Sequence, residues 1–297
     1  MPGVVVVGES LIDIVQRADG TVVEHAGGSA ANVAVALARL GRPVEFVTAY
    51  ADDPHGAVLA RHLNQSAVAV VGDPFALTRT ATALATVALD GSASYTFDID
   101  WRLNPVPELA PLVVHTCSLG AVLSPGADDV RRLLEALRPR ATVTYDVNAR
   151  PAVTGAGPDV VRAVEEVAAL ADLVKASDED LEALYPDDPL ERSVARLLGL
   201  GPSAVVVTRG SQGASWYGAQ GRVDVHGVEV AVADTIGAGD TFGAGVIDAL
   251  WDLDALGSRL NGLGDSDITT VMRHAARAAA VTVSRPGADP PYRHELP

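Results

Sequence analysis

Short runs of valine and alanine recur along the chain, and stretches with helical periodicity separate them. Because these runs are apolar at every position, they are typical of strands that are buried on both faces of a sheet. The predicted strands are Val4–Val7, Val44–Thr48, Val113–Cys117, Val143–Asp146, Leu173–Lys175 and Ala204–Thr208. The predicted helices are Ala30–Leu40, Pro54–Gln65, Asp128–Leu137, Asp159–Leu170 and Leu190–Leu198. This alternation predicts an α/β fold whose mostly parallel sheet is covered by helices on both faces.

Two segments depart from the alternation and have the pattern of β-hairpins. In each, two strand-like runs flank a turn signal, Ala18-Asp19-Gly20 in the first and Asp90-Gly91 in the second. The paired runs are Leu11–Gln16 with Thr21–His25, and Ala81–Leu89 with Ser94–Ile99. We expect a small β-sheet over about residues 10–26 and 79–100, inserted in one domain that spans residues 1–297. A lid over a cleft and a surface for homodimer formation are both reasonable uses of such a sheet.

Composition restricts the classes of function. Apolar residues make up 48% of the chain and charged residues 20%, which is typical of a globular protein. The net charge of −16 disfavours a nucleic-acid partner. No apolar stretch is long enough for a membrane span, and the apolar start lacks the basic region of a signal peptide. With Cys117 as the one cysteine, the chain has no internal disulfide, and a cytoplasmic location is expected.

The most informative segment is Asp234-Thr-Ile-Gly-Ala-Gly-Asp240-Thr-Phe-Gly-Ala-Gly. It follows a strand-like run, Val228–Val232, and opens a predicted helix that reaches about Leu250. Its glycines allow a tight turn in which consecutive backbone N–H groups converge on one point. The positive end of the helix adds to that field, so the segment suits the charge that develops on a transferred phosphoryl group. A carboxylate at Asp240 would accept a proton from an attacking hydroxyl group.

Other interpretations of this segment have to be weighed. An aspartate near a helix start often only caps the helix. The segment does not complete the glycine pattern of a dinucleotide site, since Phe242 stands at the last glycine position. The chain also lacks the Gly-x-x-x-x-Gly-Lys phosphate loop, and its one lysine, Lys175, has a different sequence setting. The residues alone therefore leave an anion site and a simple cap as alternatives.

A second segment, Ala26-Gly27-Gly28-Ser29-Ala30-Ala31-Asn32, ends the first hairpin and opens an almost wholly apolar helix. Asn32 is an amide on a helix that otherwise looks buried, so it needs hydrogen-bond partners. Backbone groups and the hydroxyls of a polyol are both suitable. Asp13 lies in an apolar hairpin strand, where it either faces solvent or serves the same polyol site.

The two glycine segments, in this order, resemble the two signatures of the PfkB (ribokinase-like) carbohydrate kinase family. Further stretches are similar to its fructokinase-type branch, so the resemblance spans nearly the whole chain. These stretches are Gly8-Glu9-Ser10-Leu11-Ile12-Asp13, Asp146-Val-Asn-Ala-Arg150-Pro151, Lys175-Ala-Ser177-Asp-Glu-Asp180, Thr208-Arg-Gly210-Ser-Gln-Gly213 and Arg285-Pro-Gly287-Ala-Asp-Pro-Pro291.

The resemblance implies a three-layer α/β/α ribokinase-like fold with a β lid over a monosaccharide. It implies that Asp240 is the catalytic base, and that the backbone of Gly237, Ala238 and Gly239 holds the phosphoryl group. The residues implied to bind the sugar are Asp13, Gly28 and Asn32, and Arg150 is a further candidate.

The same resemblance implies ATP as phosphoryl donor, with Mg²⁺ bound to it. The residues implied to line the nucleotide site are Thr208, Gly210, Gly213 and Ser177. Asp180 is expected to organise metal-bound water. Asp234 and the backbone near Gly287 match a monovalent-cation site, such as one for K⁺.

The chain departs from the family pattern at two of these positions. Asp180 is a shorter acid than the glutamate that family members often carry. Ile236 stands where many members have threonine, so a cation there would rely on a carbonyl group.

The sugar is the least determined part of the prediction. The opening segment and the Asp146–Pro151 segment favour fructose or a close ketose. Arg102 and Arg150 would instead suit the carboxylate of 2-keto-3-deoxygluconate, although each is also explained as a loop residue. Ribose, other sugars and a nucleoside remain alternatives, and a sugar sensor without turnover is the alternative from another class. The intact Gly-Ala-Gly-Asp240 sequence disfavours a sensor.

Overall fold

The computed structural model describes residues 3–87 and 93–296. Within these ranges the strands form two separate sheets. The strands are β1 (Val4–Val7), β2 (Leu11–Arg17), β3 (Val22–Gly27), β4 (Val44–Val47), β5 (Ala69–Val70), β6 (Thr82–Val87), β7 (Ala93–Asp98), β8 (Val113–Cys117), β9 (Thr142–Asp146), β10 (Leu173–Ser177), β11 (Ala204–Thr208), β12 (Ala214–Gly218) and β13 (Gly221–Val225).

The larger sheet has nine strands in the order β13-β12-β11-β10-β9-β8-β1-β4-β5. Seven of them, from β11 to β5, pair in parallel, and β12 and β13 add an antiparallel edge. The carboxyl ends of the parallel strands therefore lie along one edge of the sheet, which is the edge where open α/β sheets bind ligands.

Helices cover both faces of this sheet. They are α1 (Ser29–Arg39), α2 (Pro54–Gln65), α3 (Ser118–Val122), α4 (Gly126–Leu137), α5 (Pro151–Thr154), α6 (Pro158–Ala168), α7 (Asp178–Leu184), α8 (Leu190–Gly199), α9 (Ala238–Asp252) and α10 (Asp265–Val283). Helices α1, α2, α9 and α10 pack on one face, and α4, α6, α7 and α8 on the other. None of the helices in the described part of the chain is long and apolar enough to cross a membrane.

The central strand β1 shows why the strands are apolar throughout. Val5 and Val7 belong to the core under α4 and α6, and Val4 and Val6 to the core under α1 and α2. All four side chains are fully buried. Each buried valine contributes about 1.5–3 kcal/mol relative to an exposed one. A polar residue at any of these positions would therefore enter a core, whichever face it pointed to.

The smaller sheet has four strands in the order β3-β2-β6-β7. The pairs β2–β3 and β6–β7 are the two antiparallel hairpins, and β2 joins them by pairing in parallel with β6. The prediction of a small second sheet is confirmed. The predicted turn at Asp90-Gly91 and the end of the predicted run at Ala88 and Leu89 lie outside the described residues.

The sequence-based prediction of the elements was wrong for one run and missed several elements. The run Val228–Val232 forms no strand, and its three valines are exposed, because it follows edge strand β13 and no strand of the described chain pairs with it. The prediction missed the strand β5, the hairpin β12–β13 and the helices α3, α5, α7 and α10. Helix α10 packs along α9, the helix that carries Asp240, so it supports the main candidate site.

Candidate active site

Asp240 lies in the first turn of α9, and its side chain does not cap that helix. The N-cap is Gly237, which has a left-handed backbone conformation with φ of 75°. The carboxylate of Asp240 instead accepts hydrogen bonds from α1, namely from Ser29 Oγ at 2.7 Å and from Asn32 Nδ2 at 2.8 Å. The simple-cap interpretation of Asp240 is therefore not what the geometry shows.

A third donor completes the surroundings of this carboxylate. Asn148 follows β9, and its Nδ2 lies 2.8 Å from Ser29 Oγ and 3.4 Å from Asp240 Oδ1. Asn148 adopts a positive φ of 37°, which is unfavourable for most residues with a side chain. The Asp240 side chain is thus fixed by donors from two distant segments. It is 6% exposed, and it points toward α1 and the loop after β9 rather than into an apolar core.

The backbone beside Asp240 has the features of an anion site. The turn at Gly237 requires glycine, since φ is positive and a Cβ atom there would come within 2.7 Å of Ala288 Cβ. The next residues, Ala238 and Gly239, start the helix, and first-turn N–H groups lack partners within a helix. Gly239 is exposed. The Ala238 N–H donates to Thr235 O at 3.3 Å, so Gly237 and Gly239 supply the backbone donors next to the Asp240 carboxylate, together with the positive helix end.

The predicted sugar-binding residues lie around the same point. Gly28, the N-cap of α1, has φ of 99°, and a Cβ atom there would lie 2.9 Å from Glu9 O. Asp13 packs over Gly27, where a Cβ atom would lie 2.3 Å from Asp13 Oδ2. Burial raises the pKa of Asp13, while the charges of His25 and Arg150 lower it. The structure thus brings Asp13, Gly28, Asn32 and Asp240 near one another.

Arg150 lies at the exposed edge of this group. Its Nη1 donates to the carbonyl oxygen of Ala149 at 2.9 Å, so it does hold its own loop. It is also close enough to lower the pKa values of Asp13 and Glu9. Arg102, in contrast, forms hydrogen bonds to both carboxylate oxygens of Asp100 and is exposed.

Glu9 is a site residue that the sequence reasoning missed. It follows β1, is 3% exposed, and accepts hydrogen bonds from the backbone N–H groups of Ser29 at 3.2 Å and Gly120 at 2.7 Å. Burial raises its pKa to about 7, and the nearby charge of Asp240 acts in the same direction. Glu9 therefore fixes the start of α1, from which Ser29 reaches Asp240. A charged residue two positions after a fully apolar strand was the sequence signal that could have identified it.

Lys175 and Asp146 form a buried ion pair that was also missed. The residues are opposite each other on β10 and β9, and Lys175 Nζ lies 2.7 Å from Asp146 Oδ2. Their exposed fractions are 6% and 1%. A Cβ atom on Gly239 would lie 3.4 Å from Lys175 Nζ. The ammonium group is therefore next to the first turn of α9.

The predicted nucleotide residues form a second group along the same sheet edge. Ser177 and Thr208 are opposite each other at the carboxyl ends of β10 and β11. Gly210 and Gly213 follow with φ values of 50° and 98°. A Cβ atom on Gly213 would come within 2.1 Å of Val225 O, so the close approach of the β12–β13 hairpin requires glycine there.

The carboxylates predicted as metal ligands are both engaged by backbone amides. The Asp180 carboxylate accepts hydrogen bonds from the N–H groups of Ala149 and Ser177, and the Asp180 N–H donates to Ser177 Oγ, which completes a capping box. Asp234 accepts from the N–H groups of Ile236 at 3.0 Å and Gly287 at 2.9 Å. Across residues 3–87 and 93–296, no group of three or more His, Cys, Asp or Glu side chains is arranged to hold a metal ion. Additional ligands would have to be phosphate, water or carbonyl oxygens.

Known proteins resemble this chain over most of its length. The pfkB family carbohydrate kinases are matched over residues 1–295. A fructokinase of Rhizobium leguminosarum bv. trifolii is 35% identical over 257 aligned residues, covering 82% of this chain and 78% of that protein.

Solved structures extend the similarity to the fold. A fructokinase with bound ATP from Xylella fastidiosa gives a TM-score of 0.83 at 26% identity, covering 100% of this chain and 96% of that one. A double mutant of the fructokinase from Vibrio cholerae O395, with fructose, ADP and a potassium ion bound, gives a TM-score of 0.79 at 25% identity, covering 97% and 94%.

Proposed function

This chain belongs to the pfkB family of carbohydrate kinases, and from that premise we propose that it transfers the γ-phosphate of ATP to a hydroxymethyl group of fructose or a closely related ketose. The proposal of fructose is supported by the 35% identity to a named fructokinase and by the fructose-bound and ATP-bound structures of similar proteins.

The observation that carries the proposal is the position of the Asp240 carboxylate. Hydrogen bonds from Ser29 and Asn32 hold it beside the turn at Gly237. A base and a set of anion-binding amides thus lie side by side, which is the arrangement that in-line phosphoryl transfer needs.

The proposed reaction uses this arrangement. The hydroxymethyl oxygen attacks the γ-phosphorus, its proton passes to Asp240, and the bond from that phosphorus to the β–γ bridging oxygen breaks to release ADP. The amides at Gly237, Ala238 and Gly239 stabilise the charge on the transferred group. Asp13, Gly28, Asn32 and Arg150 position the sugar. Closure of the small sheet as a lid excludes water and favours the sugar as acceptor.

The nucleotide is expected along Ser177, Thr208, Gly210 and Gly213. A magnesium ion brought with ATP supplies neutralisation of the phosphate charge. The Asp180 carboxylate suits contact with water molecules bound to this ion. A carboxylate can accept about four hydrogen bonds, and backbone N–H groups supply two of them here.

A monovalent ion such as K⁺ is expected beside Asp234 and the Gly287 backbone. The 2.9 Å hydrogen bond from Gly287 N to Asp234 already joins these two loops. The remaining lone pairs of Asp234 and the neighbouring carbonyl oxygens are the hard ligands that such an ion prefers.

One observation favours a second substrate. Arg150 lies close to Asp13 and Glu9 at the sugar site, and a guanidinium group there suits a substrate carboxylate such as that of 2-keto-3-deoxygluconate. Arg102 does not support this alternative, because Asp100 occupies its guanidinium group.

The experiment is a coupled assay of ADP release over fructose, 2-keto-3-deoxygluconate and ribose, with ATP and Mg²⁺. We expect fructose or another ketose to give the highest kcat/KM. A higher value for the keto-deoxy acid would instead assign the substrate to the Arg150 alternative. Tight sugar binding without ADP release from any sugar would contradict the kinase proposal and indicate a sensor.

We also propose that the small sheet contributes to a homodimer. Val22 on β3 and Tyr95 on β7 are 53% and 63% exposed, so each edge strand of the small sheet has an apolar side chain that a partner subunit could cover. Sedimentation velocity of the wild type and of a Tyr95→Ser variant tests this proposal. A monomeric wild type at micromolar concentration would contradict it.

A further inference from the structure

Lys175 is the one lysine among the 22 basic residues of the chain, and it is buried. Buried lysines are rare unless they are paired. Its partner Asp146 is also buried, and replacement of such ion pairs by apolar residues of similar volume is often neutral or stabilising. The pair is therefore weakly explained as a stabilising element, and its position in the site calls for another explanation.

The ammonium group lies directly behind the phosphoryl-binding turn. A Cβ atom on Gly239 would lie 3.4 Å from Lys175 Nζ, and one on Gly243 would lie 3.8 Å from Lys175 Cδ. Both glycines belong to α9, so the lysine packs against the first turns of the helix that starts with the anion site. Asp146 approaches the ammonium group from β9, the neighbouring strand, along the sheet rather than from α9.

The surroundings keep this lysine charged. Burial lowers the pKa of Lys175, but the charges of Asp146, Asp180 and Asp240 outweigh that effect and hold its pKa above the ordinary value. His115 also lies close, and burial lowers its pKa to about 3, so the imidazole is neutral at physiological pH. A permanent positive charge thus stands among three carboxylates.

A phosphoryl group entering this site would meet a repulsive field. Asp146, Asp180 and Asp240 are all buried, and the whole chain has a net charge of −16. Charges in a region of low dielectric act strongly over several ångströms. A fixed cation behind the amide donors reduces that repulsion and needs no rearrangement when the charge of the transferred group develops.

We propose that Lys175 is a positioning residue for phosphoryl transfer, whose ammonium group supports the first turn of α9 and provides a fixed positive charge behind the amides of Gly237, Ala238 and Gly239. This proposal rests on the proposed kinase function. It differs from a purely structural role, in which Lys175 would only neutralise Asp146.

Two variants separate these roles, because one is expected to lower turnover without lowering stability and the other to lower stability without lowering turnover. The apolar pair Lys175→Met with Asp146→Leu removes both charges, so it should fold as stably as the wild type. Its kcat should nevertheless fall about tenfold. One positive charge acting over about 6 Å at an effective dielectric constant of about 20 is worth up to about a hundredfold, and removal of the repulsive Asp146 charge offsets part of that loss. Asp146→Asn keeps the cation and loses the pair, so it should lower the stability and largely retain kcat.

The KM for the sugar should change less than about twofold in both variants, because Lys175 acts on the phosphoryl group and not on the sugar. Lys175→Arg keeps the charge on a larger side chain and should retain more turnover than the apolar pair. A stable apolar pair with the kcat of the wild type would overturn the proposal.

A second measurement is independent of turnover. Since the chain has one lysine, ¹³C,¹⁵N-lysine labelling gives one set of side-chain NMR signals. We expect the Cε and Nζ signals to shift when a nonhydrolysable ATP analogue with Mg²⁺ binds, and to shift less with sugar alone. Cε and Nζ signals that do not shift when the nucleotide analogue binds would overturn the inference about Lys175. Absence of ADP release by the wild type would instead overturn the proposed function, so the two failures are distinguishable.

Discussion

Glu9 is expected to make the stability of the protein depend on pH. Its carboxyl group is buried between α1 and α3, where it accepts hydrogen bonds from the N–H groups of Ser29 and Gly120. Burial raises its pKa from an ordinary value of 4.5 to about 7. The folded protein therefore keeps its proton at pH values where the unfolded chain has lost it. Linkage then requires the free energy of unfolding to fall as pH rises through this window.

The size of the effect follows from the two pKa values. The contribution of Glu9 is fully favourable below pH 4.5 and is lost as pH rises to about 7 and above. At about 1.36 kcal/mol per pH unit, the loss between pH 5 and pH 8.5 is about 2.5 kcal/mol. Glu9→Gln cannot ionise, so it removes this dependence whatever its effect on the stability at any single pH.

The assay is urea unfolding of the wild type and of Glu9→Gln at several pH values from 5 to 8.5. Other titrating groups, such as Asp146 with its raised pKa, contribute to both proteins and cancel in the difference. Glu229→Gln, at an exposed position, controls for the loss of one negative charge. We expect the wild type to lose stability relative to Glu9→Gln as pH rises. A difference that stays constant over the range would refute the reasoning.

Two further predictions concern packing around α9. Asp248→Asn should lower the free energy of unfolding by about 3–5 kcal/mol, because it removes a fully buried charge that binds Arg42, Arg293 and His274. The control is Asp252→Asn, at a partly exposed position. An equal loss of stability in both variants would contradict this prediction. Gly245→Ala should lower the free energy of unfolding by about 1–3 kcal/mol, since its Cβ atom would lie 2.8 Å from a Cα atom of α10. Gly243→Ala is the control, because its position has room for a methyl group, and it should not lower the melting temperature.

Much of the fold could be predicted because its strands are buried on both faces. Strands β1, β8 and β11 have the predicted bounds, since an apolar run between helices has few other interpretations. Alternation alone was a weaker guide. Val228–Val232 has the alternating pattern of a strand but lacks a pairing strand in the described chain. The strands β12 and β13 pair antiparallel at the edge of the sheet, so the alternation of strands and helices in the sequence does not predict them.

The site was predictable where one segment contains the chemistry. Asp240, Gly237 and Gly239 stand together in the sequence, and Asn32 was recognised as an amide that needs a partner. The partner of Asn32 is Asp240, which lies 208 positions away in the sequence. Local sequence patterns do not predict contacts over such a separation.

The residues that support the base were missed for the same reason. In the sequence, Ser29 looks like an ordinary helix-start residue and Asn148 like an ordinary loop residue. Glu9 and Lys175 contact backbone segments that come close to them only in the folded chain. The sequence therefore indicated the reacting groups but not the contacts that hold them in place.

The proposed role of Asp240 as the catalytic base is tested most directly by Asp240→Asn. The amide keeps the size of the side chain but cannot accept the proton, so kcat with fructose should fall about 10²–10⁴-fold. Calorimetry should show fructose and ATP still binding, and the melting temperature should show a folded protein. Turnover close to that of the wild type would contradict the account.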